Sequence, residues 1–110
     1  MARWRVRLGP TAERDFAGII AYTVETFGAR QAKVYHTTLM RALTALNAGP
    51  SILGSVSRDE IDEGLRSLHV ARKGRRGRHL ILYRAAPDRV IEVARILHDA
   101  MDLARHIPKL

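Results

Sequence analysis

Cysteine is absent from the 110 residues. No disulfide can brace the fold, and no thiolate is on hand as nucleophile or metal ligand. That excludes cysteine-ligated zinc and iron–sulfur centres and fits a reducing compartment. Long apolar runs are missing as well. Clean stretches such as Leu80 to Tyr83 fall far short of the roughly 20 residues a membrane span needs. The opening residues, MARWRVRLGP, are basic but lead into no apolar core segment, so they do not read as a secretory signal. A cytoplasmic protein with no membrane partner is expected. Also lacking are a phosphate-loop signature, a Gly-x-Ser-x-Gly elbow, a His-Glu-x-x-His pair and zinc-finger spacing. The commonest nucleotide, hydrolase and metalloprotease chemistries therefore have no foothold, and neither a cofactor nor a metal is expected.

What the chain does carry is positive charge, unevenly placed. Residues 1–64 hold 8 Lys+Arg against 7 Asp+Glu (+1), and residues 65–110 hold 11 against 4 (+7). One strongly basic half attracts an anionic partner, whether nucleic acid or an acidic protein segment. The densest part is Arg72-Lys73-Gly74-Arg75-Arg76-Gly77-Arg78, with five cations in seven residues. Arginines suit bidentate contact with phosphate or carboxylate, and glycines let a partner approach the backbone. No aromatic residue is interleaved there, so base stacking on this turn is not expected.

Length and 46% hydrophobic content fit one globular domain over residues 1–110 with one core. Trp4 to Leu8 alternates apolar and basic residues, as a half-exposed strand does. Gly9-Pro10 ends it, and Thr11 is placed to cap a helix with Glu13 in its first turn. Ala12, Phe16, Ile19, Ile20, Thr23 or Val24, and Phe27 recur at helical spacing, and Gly28 stops that helix. A second helix follows on Ala32, Tyr35, Leu39, Ala42, Leu43 and Leu46, ending at Asn47 to Pro50. The two must fold back as a helical hairpin. Residues 50–64 read as a connector whose acidic run Asp59-Glu60-Asp62-Glu63 is a solvated loop, the sharper alternative being a counter-patch for the basic half. Three strands follow, over 65–72, 79–85 and 90–98, the first two joined by the basic turn. The order is β-α-α-β-β-β plus a short C-terminal helix. This predicts an α+β domain with the hairpin on one face of a small, mainly antiparallel sheet.

The closing stretch RILHDAMDLARHI gathers histidines and aspartates in a pattern that resembles a site. Capping explains most of them. Asp99 and Asp102 lie three apart where strand gives way to helix, Arg105 and His106 fall in the last turn, and Pro108 stops it. His98, at the end of a central strand with Arg95 on that strand's other face, is the residue left with a functional reading.

Several stretches together resemble the RelE/ParE toxin superfamily. They are Val6-x-Leu8-x-x-x-Ala12-x-x-Asp15-Phe16-x-x-Ile19-x-x-Tyr22, Phe27-Gly28-x-x-Gln31-Ala32-x-x-Tyr35, Gly64 to Leu68, and His79-x-Ile81-x-Tyr83-Arg84. The closing Ile91-Glu92-Val93-x-Arg95-Ile96-Leu97-His98-x-x-Met101-Asp102-x-x-Arg105-His106 is similar to the ParE branch in particular. The resemblance implies the toxin of a type II toxin–antitoxin pair that inhibits DNA gyrase by binding. A ParD-like antitoxin would neutralise it, and operator DNA would be met only through that antitoxin. The RelE branch implies a ribosome-dependent mRNA endonuclease instead. That chemistry often uses a tyrosine or histidine near the C-terminus, and here Tyr22, Tyr35 and Tyr83 all lie elsewhere. On the nuclease reading Arg78, Arg84, Arg95 and His98 would form the site. On the binding reading the target contacts are Arg72, Lys73, Arg75, Arg76, Arg78, Arg95 and His98. Antitoxin contacts are expected around Ile20, Val24, Leu39 and Leu43, and a free toxin with an uncovered apolar groove is expected to self-associate.

Overall fold

The computed structural model describes residues 3–107. Strand β1 (Arg5–Leu8) leads into helices α1 (Pro10–Phe27) and α2 (Ala29–Ala45). Strands β2 (Ser55–Ser57), β3 (Arg66–His69), β4 (His79–Ala86) and β5 (Val90–His98) follow, and a 3-10 turn (Leu103–His106) closes the chain. The sheet order is β1-β5-β4-β3-β2. β1 runs parallel to β5 and every other pair is antiparallel. The expected α+β order therefore holds, with one strand more than expected. β2 lies within the segment read as a connector. Three residues long and with two serines, it is too short and polar to give a periodic signal.

Two local starts differ from expectation. Helix α1 begins at Pro10 with Gly9 as its N-cap, so Thr11 lies inside the first turn. Proline has no N–H to lose at the first helical position and its fixed φ suits a helix. At the C-terminus Asp102 is the N-cap residue of the 3-10 turn but makes no side-chain cap bond, and Asp99 is engaged elsewhere, as described below. Arg105 and His106 do fall in the last turn; Pro108 lies outside the described residues. Gly28 has φ 92° and serves at once as C-cap of α1 and N-cap of α2, a conformation that disfavours any residue with a Cβ.

The hairpin covers one face of the sheet. Its core joins Ala12, Leu39, Ala42, Leu43 and Leu46 to Leu68, Ile81, Tyr83, Ile91, Val93 and Ile96. Tyr83 is wholly buried and donates its hydroxyl hydrogen bond to Pro50 O at 2.6 Å, which anchors the connector. A smaller cluster on the opposite face holds Leu65, Leu82 and Leu97 under Ile61, Leu103 and Ile107. β5 therefore buries side chains on both faces, as its continuous apolar run requires. A bulge makes this work: Leu82 pairs with Arg95 but Tyr83 with Val93, leaving Ala94 as the extra residue. The alternation shifts by one there, so that Val93 and Ile96 both face the helices.

Candidate functional site

A cleft of about 970 Å³ opens between α1 from Arg14 to Phe27, the first turns of α2, the start of β4, the end of β5 and the basic turn. Its lining includes the apolar side chains of Ile19, Tyr22, Phe27 and Met101 and the basic-turn residues Arg75, Arg76, Gly77 and Arg78. Tyr22, Phe27 and Met101 are 63%, 65% and 45% exposed. These are large apolar side chains left uncovered beside a cationic loop.

The basic turn is fastened down. Arg75 donates from Nε and Nη2 to Thr38 Oγ1 at 3.0 and 2.8 Å and from Nη2 to Val34 O at 3.1 Å. Its guanidinium thereby satisfies polar groups of α2. Tyr35 completes the attachment: its hydroxyl accepts from the Arg78 amide at 3.1 Å and meets His79 Nδ1 at 2.6 Å. Gly77 allows the close approach, since a Cβ there would lie 2.6 Å from Val70 Cγ2 and 2.9 Å from the Tyr35 hydroxyl. Arg72 donates to Leu53 O at 3.2 Å. Among the described residues, the side chains of Lys73 and Arg76 have no hydrogen-bond partner.

Behind the turn lies a histidine cluster. His79 and His98 are directly paired across β4 and β5, their rings edge to face with centroids 5.5 Å apart. Asp99 accepts from His69 Nε2 at 2.9 Å and from Arg78 Nε at 3.2 Å. The bond from His69 is the main reason its carboxyl sits below the usual carboxylate range, with Arg78 assisting. Burial lowers the His79 pKa from 6.5 to about 4, and the neighbouring His98 pushes the same way. Burial also raises the Tyr35 hydroxyl. The hydrogen bonds assign the tautomers: the Ala71 amide donates to His69 Nδ1 and the Ala100 amide to His98 Nδ1. The Tyr35 oxygen already accepts from the Arg78 amide, so its proton is placed to go to His79 Nδ1, and each of the three rings then carries an N–H at Nε2. His98 Nδ1 also lies 3.6 Å from Asp99 Oδ1, but its lone pair is already taken by the amide.

Past the end of β1, β5 has an open edge, and Asp15 of α1 closes it. Its carboxylate accepts from the Ile96 amide at 2.9 Å and from Arg95 Nε and Nη2 at 2.8 and 3.0 Å. Arg95 also donates to His106 O at 2.8 Å, tying down the C-terminal segment. Its guanidinium is raised in pKa chiefly by the bond to Asp15.

A family model described as "ParE toxin of type II toxin-antitoxin system, parDE" matches residues 6–103. The chain belongs to the ParE toxin family. Toxin ParE1 of Mycobacterium tuberculosis (strain CDC 1551 / Oshkosh) is 32% identical over 103 residues, which cover 94% of this chain and 97% of that one. The fold matches the chromosomal ParDE toxin–antitoxin system of P. aeruginosa with TM-score 0.70 at 17% identity, over 89% of this chain and 98% of the other. It also matches the RelBE2 toxin–antitoxin complex of M. tuberculosis with TM-score 0.56 at 19% identity, over 87% and 98%. The protein is thus a ParE-family toxin of a type II toxin–antitoxin system. No helix of the described residues is long and apolar enough to cross a membrane.

Within this toxin the residues singled out from sequence divide sharply. Arg75, Arg76, Arg78 and His98 line the cleft together. Arg95 reaches the cleft too, but its guanidinium is held by Asp15 and His106, so its primary role is structural. Arg84 pairs with Asp62 at 2.8 Å and donates to Glu63 O at 3.0 Å, on the opposite face of the sheet. The acidic connector is therefore partly a counter-charge rather than a purely solvated loop. Leu39 and Leu43 are 0% and 5% exposed and belong to the core: the stripe of an amphipathic helix that looks like a groove in sequence is the stripe already packed on the sheet. Ile20 packs against that core, and Val24 is exposed. Phe27 does not read as a surface residue in sequence because helical spacing places it on the buried stripe, yet it is exposed together with Tyr22. Asp99 and Tyr35, which organise the cluster, gave no signal beyond their residue types, because their partners lie far away in sequence.

Proposed function

We propose that this toxin acts by binding rather than by cutting RNA: a ParE-like inhibitor of DNA gyrase, neutralised in the cytoplasm by a ParD-like antitoxin. Metal-independent cleavage of a phosphodiester requires several cations converging on one phosphate and a proton-transfer group beside it. Of the four residues named for such a site, Arg84 lies on the far face with Asp62, and Arg95 is occupied by Asp15. Arg78 is engaged by Asp99, so His98 is left with one neighbour already neutralised. That dispersal is the observation carrying the reading. The exposed cations Lys73 and Arg76 stand on a turn braced by Arg75 and Tyr35, which suits them to contact a protein surface.

The antitoxin site proposed here is the cleft. An acidic, amphipathic tail would cover Tyr22, Phe27 and Met101 while meeting the arginines of the turn. Operator DNA would then be engaged through the antitoxin. Uncovered, the same apolar wall would favour self-association of the free toxin. The deciding experiment adds purified toxin to gyrase and relaxed plasmid. Loss of supercoiling at micromolar toxin is expected. Full supercoiling, together with cut messages in a translating extract, would overturn the reading in favour of the endonuclease alternative.

A further inference from the structure

We propose that Arg76, His79 and His98, which line the cleft, make a subsite for a carboxylate carried by an acidic amphipathic protein segment. The inference rests on the cleft being a partner-binding surface. It adds which chemical group is read there and by which residues.

Three observations carry it. First, both imidazoles line the cleft. His98 Nδ1 accepts from the Ala100 amide. His79 Nδ1 lies 2.6 Å from the Tyr35 hydroxyl, whose oxygen already accepts from the Arg78 amide and whose proton is therefore placed to go to His79. The remaining nitrogen of each ring is therefore an N–H donor. Second, the carboxylates near these rings are spent. Asp99 takes bonds from His69 and Arg78, and Asp15 takes them from Arg95 and the Ile96 amide. Third, Arg76 lines the same cleft, is exposed, and has no hydrogen-bond partner among the described residues. Two imidazole N–H donors on rings 5.5 Å apart and an exposed guanidinium thus line one cleft, a donor set suited to an oxyanion.

Two sources of oxyanion are conceivable, and the rest of the cleft selects between them. Tyr22, Phe27 and Met101 form an exposed apolar wall along the same cleft. A nucleic-acid backbone would satisfy the donors but leave that wall wet. A protein segment with an apolar stripe and one carboxylate at its end satisfies both, which is why the occupant is assigned as a carboxylate.

The experiment follows the imidazole resonances of the full-length toxin by two-dimensional NMR during titration with sodium acetate, with dimethyl phosphate as a phosphodiester probe and chloride at matched ionic strength. His36, which packs on Phe16 away from the cleft, is the internal reference. Acetate is expected to shift the His79 and His98 signals saturably while His36 stays put, with dimethyl phosphate weaker. Arg76→Ala and His98→Gln, both at solvent-accessible positions, should each weaken acetate at least about tenfold with unchanged backbone spectra. If acetate moves these rings no more than chloride does, or neither variant weakens it, the subsite is wrong. Tighter binding of dimethyl phosphate would assign the site to nucleic acid instead. Gyrase supercoiling is scored separately, so either idea can fail without the other.

Discussion

Asp15 of α1 grips Arg95 of β5 through two hydrogen bonds, Nε to Oδ2 at 2.8 Å and Nη2 to Oδ1 at 3.0 Å, across 80 residues of sequence. The same carboxylate receives the Ile96 amide, so one side chain closes the sheet edge and docks the first helix. Removing the carboxylate leaves a poorly hydrated guanidinium and an unpaired edge amide. Asp15→Ala is expected to cost about 3 kcal/mol in chemical denaturation, and a double-mutant cycle with Arg95→Ala should show strong coupling. A cost below about 0.5 kcal/mol, the range of an ordinary surface change, would contradict this account.

Gly77 is the tight point where the basic turn meets α2. Gly77→Ala forces its new methyl against Val70 and the Tyr35 hydroxyl. Overpacking of this kind costs about 1–3 kcal/mol. Hydrogen exchange at the Arg78 amide, which is bonded to Tyr35, should accelerate in the variant; unchanged protection would show that the turn is held some other way.

Leu39→Ala separates core from interface. Leu39 has no exposed surface, so its truncation is expected to lower stability by about 2–5 kcal/mol. Tyr22→Ser and Phe27→Ser remove exposed rings and should leave the thermal midpoint nearly unchanged while weakening capture by the co-expressed antitoxin. The reverse pattern in pull-down and thermal melting would place the interface on the other side of the hairpin.

Acid sensitivity follows from His79. The unfolded chain takes up this proton near pH 6.5 and the folded chain only near 4, so acidification across that interval favours the unfolded state. Stability is full above pH 6.5 and declines as pH falls toward 4. Asp99, held below its usual value, adds a further loss at lower pH. Denaturant midpoints measured from pH 7 to 4.5 should fall steadily, and His79→Asn should flatten that slope. A midpoint independent of pH in the wild type would refute the burial-driven shift.

Charge reversal tests the target contact. Lys73→Glu and Arg76→Glu alter the two cations of the turn that have no hydrogen-bond partner among the described residues, so both variants should fold normally. Loss of gyrase inhibition, with a weaker dependence on ionic strength, is the expected result in the supercoiling assay. Undiminished inhibition would move the contact away from the turn.

The sequence by itself determined the order of elements, the helical hairpin, the basic turn, the doubly buried last strand and the membership of the toxin superfamily. Each of these is written in short-range patterns: apolar period, a glycine or proline stop, a local run of charge. Only the tertiary structure decided which charges are free. Arg75, Arg78 and Arg95 look alike in sequence, yet α2, Asp99 and Asp15 bind them from distant elements, while Lys73 and Arg76 are left without such partners. Likewise, the apolar stripes of the two helices include Phe27 in α1 and Leu39 in α2 alike, and only the reach of the sheet beneath the hairpin separates the buried residue from the exposed one. Asp99 has the look of a helix cap in sequence because nothing local reveals that β3 brings His69 to within 2.9 Å of it. Pair partners and exposure depend on where elements meet, which is a property of the packed chain rather than of any window along it.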